Sequence, residues 1–340
     1  PERYLIAGLG SIGRRHLANL RRLRPQARIA VWRLHNPPAP ETPPGADDQF
    51  TCLEQVLDFA PSAAIIASPA STHLELARPL AAAGVHLLIE KPLATDAATD
   101  LTGMADLISA CGDRGLVLMT GYNLRFLPSL QAVKARLDAG DIGQVLAARA
   151  EVGQYLPDWR PASDYRTGVS AQRALGGGAL LELSHELDYL GWLFGTPARV
   201  TARGGQFSDL TLDVEDLVEL LLEYPTPARL ISVHLDMLQR APQRTCRFIG
   251  SAGTLVWDAI ADRVDLYRAV TGVWETLSVN PLADRNQMYL DELSHFLDCI
   301  AQGTQPQVDG TAGLRALTIV AAARQSLVAE TGIEVPKIVH

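Results

Sequence analysis

The chain is sparing with cysteine, and its four thiols, Cys52, Cys111, Cys246 and Cys299, lie far apart with no CxxC pair. That spacing argues against a disulfide framework and a zinc site, and fits buried thiols in a reducing compartment. No uninterrupted apolar run approaches ~18 residues, so no membrane-spanning helix is expected. There is no HExxH and no second histidine close to His185, so no metal site is expected. Charge of one sign is never concentrated: the formal net charge is -8 and the acidity is spread out. Neither nucleic acid nor an anionic membrane is therefore an expected partner. A local basic patch stays open, because Arg14, Arg15, Arg21, Arg22, Arg24 and Arg28 fall close together. Repeats and low-complexity tracts are also absent. With a strand already expected over residues 3–7, no signal peptide is expected. The chain lacks an initiator Met and could start slightly upstream, and the cytoplasm is the expected location.

What is present is a globular composition, 47% hydrophobic and 20% charged over 340 residues. At roughly 150 residues per domain, that length suggests two domains. Short apolar strands over 4–7, 29–32, 63–67, 86–89 and 117–120 alternate with helices over 12–24, 53–59, 72–83 and 97–111. This is the pattern of parallel βαβ units. Thr72 with Glu75 marks the start of the third helix, and Pro79 is expected to bend it or break a turn. Residues 35–48 carry five prolines and read as a loop. Beyond Gly121 the pattern changes, with a helix over 127–139, a strand over 145–152, an irregular stretch over 154–172 and one helix over 179–194. Seven strands in direct succession between 198 and 279 imply an antiparallel sheet, and two helices close the chain. The expected division is 1–121 and 122–340, with the last helices free to pack back on the first domain.

Gly8-Leu9-Gly10-Ser11-Ile12-Gly13 follows a strand and opens a helix. A dinucleotide pyrophosphate needs close backbone approach and the amides of a helix N-terminus, so the expected ligand is NAD or NADP. The second strand ends on Trp32-Arg33-Leu34-His35 with no carboxylate nearby. Arg33 can pair with a 2′-phosphate, which leans the expectation towards NADP. Glu90-Lys91-Pro92 stands at the carboxyl end of the fourth predicted strand, the edge where open α/β sheets bind ligands. A half-buried Lys91 there can exchange protons near neutrality. On the helix over 179–194, Glu182, His185 and Asp188 are spaced by three and share a face, and an imidazole beside carboxylates can act on a hydroxyl. Each motif alone has a plainer reading: a tight turn, a solvated lysine, a hydrogen-bonded core histidine.

Together and in this order, the motifs resemble the Gfo/Idh/MocA oxidoreductase family. The likeness runs through GLGSIGRRHL from Gly8, SPASTH from Ser68, AGVHLLIEKPLA from Ala83, GYNLRF from Gly121 and GGGALLELSHELDYLGWLFG from Gly176. The resemblance implies an α/β fold: an N-terminal Rossmann doubly wound parallel sheet, then a C-terminal α+β domain. The open, mostly antiparallel sheet of that second domain would mediate a homodimer or homotetramer. It also implies Lys91 as catalytic lysine paired with His185, Ser68 and His73 bordering the nicotinamide, and Glu90 orienting it. Asn123 and Arg125 would lie where the two domains meet. Many members carry an Asp four residues before the helix histidine. Here that position is Leu181, and Glu182 points about 100° round the helix.

Substrate recognition is expected from the loop over 154–172, through Tyr155, Trp159, Arg160, Tyr165 and Arg166, with Arg173 just beyond. Its arginines favour an anionic carbohydrate, such as a nucleotide sugar or sugar acid. The expected activity is hydride transfer between nicotinamide and a secondary alcohol or ketone. The rivals are a non-catalytic dinucleotide-binding sensor and a reductase of a dihydrodiol or linear tetrapyrrole.

Overall fold

A computed structural model describes residues 2–33, 41–278 and 284–336. The chain forms two compact units. The first comprises Pro1–Asn123 with Asn286–Leu314, the second Leu124–Arg285 with Arg315–His340.

The first unit is built on β1 (Arg3–Ala7), β2 (Arg28–Trp32), β3 (Asp48–Phe50), β4 (Ala63–Ile66), β5 (His86–Glu90) and β6 (Leu118–Gly121). They form one sheet in the order β3-β2-β1-β4-β5-β6 with every pair parallel. Leu5, Ile6, Ile29, Val31, Ile66, Leu87 and Leu88 are fully buried. Continuous apolar strands of this kind are what a sheet covered on both faces requires. The connecting helices are α1 (Ser11–Leu23), α2 (Leu53–Phe59), α3 (His73–Ala82) and α4 (Ala98–Asp113). A later helix, called α8 below (Gln287–Gln302), packs against α1.

Three local expectations change. Strand β3 stands where none was read, and residues 35–40 of the proline-rich loop lie outside the described residues. Helix α3 runs uninterrupted through Pro79. Leu76, Ala77, Leu80 and Ala81 bury its inner face, and that packing outweighs one missing N–H. Thr72 is the N-cap of α3, yet its side chain makes no capping bond. Its hydroxyl instead bonds Pro69 O at 2.8 Å and the Ser68 hydroxyl at 2.7 Å.

The second unit carries α5 (Pro128–Asp138), β7 (Val145–Gly153), α6 (Ala179–Glu182) and α7 (His185–Phe194), then β8 (Arg199–Gly205), β9 (Leu217–Pro225), β10 (Ala228–Asp236), β11 (Gln243–Gly250), β12 (Gly253–Asp258), β13 (Arg263–Arg268), β14 (Val273–Ser278) and β15 (Ile333–Glu334). Its nine strands run β14-β13-β12-β11-β7-β10-β9-β8-β15. All neighbours are antiparallel except β7 and β10, which are parallel. On β10 (Ala228–Asp236), buried Ile231, Val233 and Leu235 alternate with the more open Leu230, Ser232 and His234. One face of the sheet is therefore core and the other is not.

On the open side, His234 is gripped at both nitrogens, by Glu219 at 2.6 Å and Asp236 at 2.8 Å. The hydrogen bond that His234 donates to Asp236 leads in raising its pKa to about 9, Glu219 adds to it, and partial burial opposes both. A histidine raised on folding stabilises fully below its ordinary value of 6.5 and loses that contribution as pH climbs through about 9. Urea unfolding of the protein and His234→Gln should therefore diverge most near pH 6 and converge above pH 9. A gap independent of pH would exclude the imidazolium from stability.

Candidate functional site

In the first unit, the turn between β1 and α1 is shaped by absent side chains. A Cβ on Gly8, whose φ is +94°, would lie 2.8 Å from Ala67 O, and one on Gly13 only 2.1 Å from Gly8 O. These two glycines let strand, turn and helix close on one another. Gly10 differs: a Cβ there would meet nothing within 4 Å. Gly10 is also the N-cap of α1, where no side chain caps the amides and no acidic residue stands in the first turn. With Ser11 and Ile12 following, the open turn and uncapped helix end fit the pyrophosphate of a dinucleotide. Arg33 continues from β2 and is partly exposed, its amide donating to Phe50 O at 3.0 Å.

The β4 and β5 ends meet through His73. Its Nε2 lies 2.9 Å from Ser68 O, and its Nδ1 lies 3.1 and 3.2 Å from Pro92 O and Leu93 O. Burial pushes the His73 pKa down, and the carbonyls of Ser68, Leu93 and Pro92 oppose that shift. This staple joins the Ser68 turn to the Glu90-Lys91-Pro92 turn, whose Lys91–Pro92 peptide is cis. Lys91 itself is partly exposed.

Glu90 turns inward. Its Oε1 lies 2.6 Å from His16 Nε2, and its Oε2 accepts from the Lys91 amide at 3.2 Å. Among the described residues, the donor atoms of His16, Glu90 and Glu292 form a trio lying within 4.8 Å of one another, the arrangement a cation would need. The direct His16–Glu90 bond already closes one side of it. Asn123 is buried and interacts with Tyr289 of α8.

In the second unit, the helix expected over 179–194 is two helices, α6 and α7, broken at Leu183 and Ser184. Ser184 is the N-cap of α7, with Glu186 and Asp188 in its first turn. Ser184 makes no side-chain capping bond, so the first-turn carboxylates are what favours a helix start at the break. Glu182 therefore does not share a continuous face with His185 and Asp188. Its carboxylate accepts from the Ser170 hydroxyl at 2.7 Å. His185 opens α7 and is 8% exposed. Asp188 is committed to Arg125: Nε and Nη2 of the guanidinium meet its two oxygens at 2.9 and 2.5 Å, with both residues buried. Arg125 also lies over the Trp192 ring, 5.4 Å from its centre.

The loop residues are mostly engaged. Tyr155 lies under the Arg240 guanidinium, 3.5 Å from ring centre to carbon. Trp159 donates to Gln154 O, the Tyr165 hydroxyl accepts from the Thr211 amide, and Arg166 grips Asp164. Arg173 donates to Asp213 O, while Arg160 is exposed. Sequence reasoning missed His16 and Glu292. A carboxylate on the apolar face of α8, beside buried Leu293 and Phe296, was the available signal.

Residues 2–122 match an oxidoreductase family with an NAD-binding Rossmann fold, and residues 130–256 match the GFO/IDH/MocA C-terminal domain. The chain belongs to the GFO/IDH/MocA oxidoreductase family. It is 34% identical over 155 residues to an uncharacterized oxidoreductase of Synechocystis sp., 45% of this chain and 40% of that protein. It is 28% identical over 187 residues to levoglucosan dehydrogenase of Pseudarthrobacter phenanthrenivorans, 48% and 46% of the two chains. These matches span less than half of either relative. Similarity to inositol 2-dehydrogenase of Rhizobium meliloti is 26% but covers 98% of this chain and 99% of that one. Among solved structures, levoglucosan dehydrogenase in complex with NADH superposes with a TM-score of 0.84 at 20% identity, covering 99% and 100% of the two chains. That likeness concerns the fold. No helix among the described residues is long and apolar enough to cross a membrane.

Proposed function

We propose that the chain is an NAD(P)-dependent dehydrogenase or reductase. It moves hydride between nicotinamide and a secondary alcohol or ketone of a sugar, nucleotide sugar or sugar acid. What carries the reading is the open glycine turn at the uncapped N-terminus of α1, in a chain of this family. Named relatives and neighbours act on or bind such compounds: levoglucosan, inositol, L-sorbose and UDP-GlcNAcA. When bound, the nicotinamide supplies the hydride acceptor or donor. The remaining work falls to the chain's own residues. Lys91 and His185 handle the hydroxyl proton, and the His73 staple holds the Ser68 and Lys91 turns in register. Exposed Arg160 supports an anionic substrate. The partly open side of the second-unit sheet, with Leu230 46% exposed, supports assembly as a homodimer or homotetramer.

The test is a nicotinamide absorbance assay against nucleotide sugars, sugar acids, polyols and anhydrosugars, with both cofactors. One of these classes should turn over. A trans-dihydrodiol belongs in the panel, because residues of this chain are 32% identical over a stretch of 147 to trans-1,2-dihydrobenzene-1,2-diol dehydrogenase of Macaca fascicularis. Arg33, with no carboxylate beside it, favours NADP(H). Arg33→Ala should weaken NADP(H) at least ~10-fold and leave NAD(H) nearly unchanged. Tighter NAD(H) than NADP(H) binding by the unmodified chain would overturn that preference.

A further inference from the structure

Helix α8 brings a row of polar groups to the first unit. Asn286 and Asn19 exchange amide hydrogen bonds at 3.2 and 2.8 Å. One turn on, the Tyr289 ring lies under the Arg15 guanidinium, 4.4 Å from its centre. A further turn on, Glu292 reaches the His16–Glu90 pair. Spacings of three place these groups on one face of α8. Glu292 and His16 are fully buried and Glu90 is 7% exposed. Burying two carboxylates this close costs more than packing alone would repay, so the arrangement calls for a reason beyond holding α8 down.

The reason lies at Glu90. Its side chain folds back so that one oxygen takes the amide of Lys91 while the other is held by His16. Space for this is left by Gly121, where a Cβ would stand 3.0 Å from the Glu90 carboxyl carbon. The start of the Lys91 turn is thus held by a carboxylate and that carboxylate by His16 of α1, while Glu292 of α8 stands within 4.8 Å of both. We propose that Glu292, acting with His16 through Glu90, is a positioning residue for Lys91. This rests on the reading of Lys91 as the residue that handles the hydroxyl proton.

Three Glu292 variants test it. Glu292→Leu keeps the volume and removes the carboxylate, Glu292→Gln keeps a hydrogen-bonding side chain of the same length, and Glu292→Asp withdraws the charge by one methylene. Glu292→Leu should lower kcat roughly 10- to 100-fold, since misplacements near 1 Å cost about that much. The Kd for NADH, read by fluorescence titration without turnover, should stay within about twofold. Glu292→Gln should restore most of kcat, and Glu292→Asp should lose it severalfold with Kd intact. Glu292→Asp carries the test if Glu292→Leu does not fold. Unchanged kcat in Glu292→Asp, or a Kd that rises as kcat falls, would reduce Glu292 to a brace of the fold. Lys91→Met run alongside separates the two levels. An active Lys91→Met overturns the proposed role of Lys91 and this inference with it. An inactive Lys91→Met beside a fully active Glu292→Leu overturns the positioning role alone.

Discussion

Lys91→Met should abolish turnover while NADH binds almost as before. Methionine keeps an unbranched stem of nearly the same length, with sulfur in place of one methylene, and lacks the ammonium, so the turn after β5 stays packed around Pro92 and Leu93, both buried. The glycine turn, which is the proposed seat of the pyrophosphate, lies on separate residues and keeps its shape. Loss of a general acid–base group typically costs 10²- to 10⁴-fold, and the larger figure applies where no neighbouring donor can substitute. Steady-state turnover combined with fluorescence titration of NADH separates the two effects. Full activity in the variant would remove Lys91 from the chemistry.

The second large effect concerns stability. Asp188→Ala should destabilise the second unit by about 3–5 kcal/mol, the cost of stranding one partner of a buried ion pair. Burial pushes the Asp188 carboxyl up from its ordinary value, and Arg125 and then Arg315 pull it back. Removing the carboxylate leaves Arg125, 3% exposed, without its bidentate acceptor. The loss should fall mainly on unfolding free energy measured in urea, with the slope unchanged. A drop under about 1 kcal/mol would mean that water or another acceptor reaches the guanidinium. Because Asp188 lies one turn beyond His185 on α7, the same variant should also lower kcat.

Much of the fold was legible because it is written in local periodicity. The β1-to-α1 turn, the run of parallel units and the succession of later strands each leave a pattern within a dozen residues. What escaped was set by distant partners. Glu182 looked like a neighbour of His185 until Ser184 started a new helix. Asp188 read as a site carboxylate, yet its partner Arg125 stands 63 residues away. In the aromatic and basic loop over 154–172, Trp159, Tyr165 and Arg166 each have a partner within the protein, which composition alone does not show. Composition cannot distinguish a side chain waiting for a ligand from one already paired.

The reciprocal amides of Asn19 and Asn286 bridge 267 positions of sequence. On the ribosome, α1 and the strands around it emerge long before α8 is made, and eight of the nine strands of the second-unit sheet are translated in between. Until then the inner flank of α1 and the buried His16–Glu90 pair lack their cover. The nascent amino-terminal segment must therefore wait, partly finished, for a carboxyl-terminal helix to complete it.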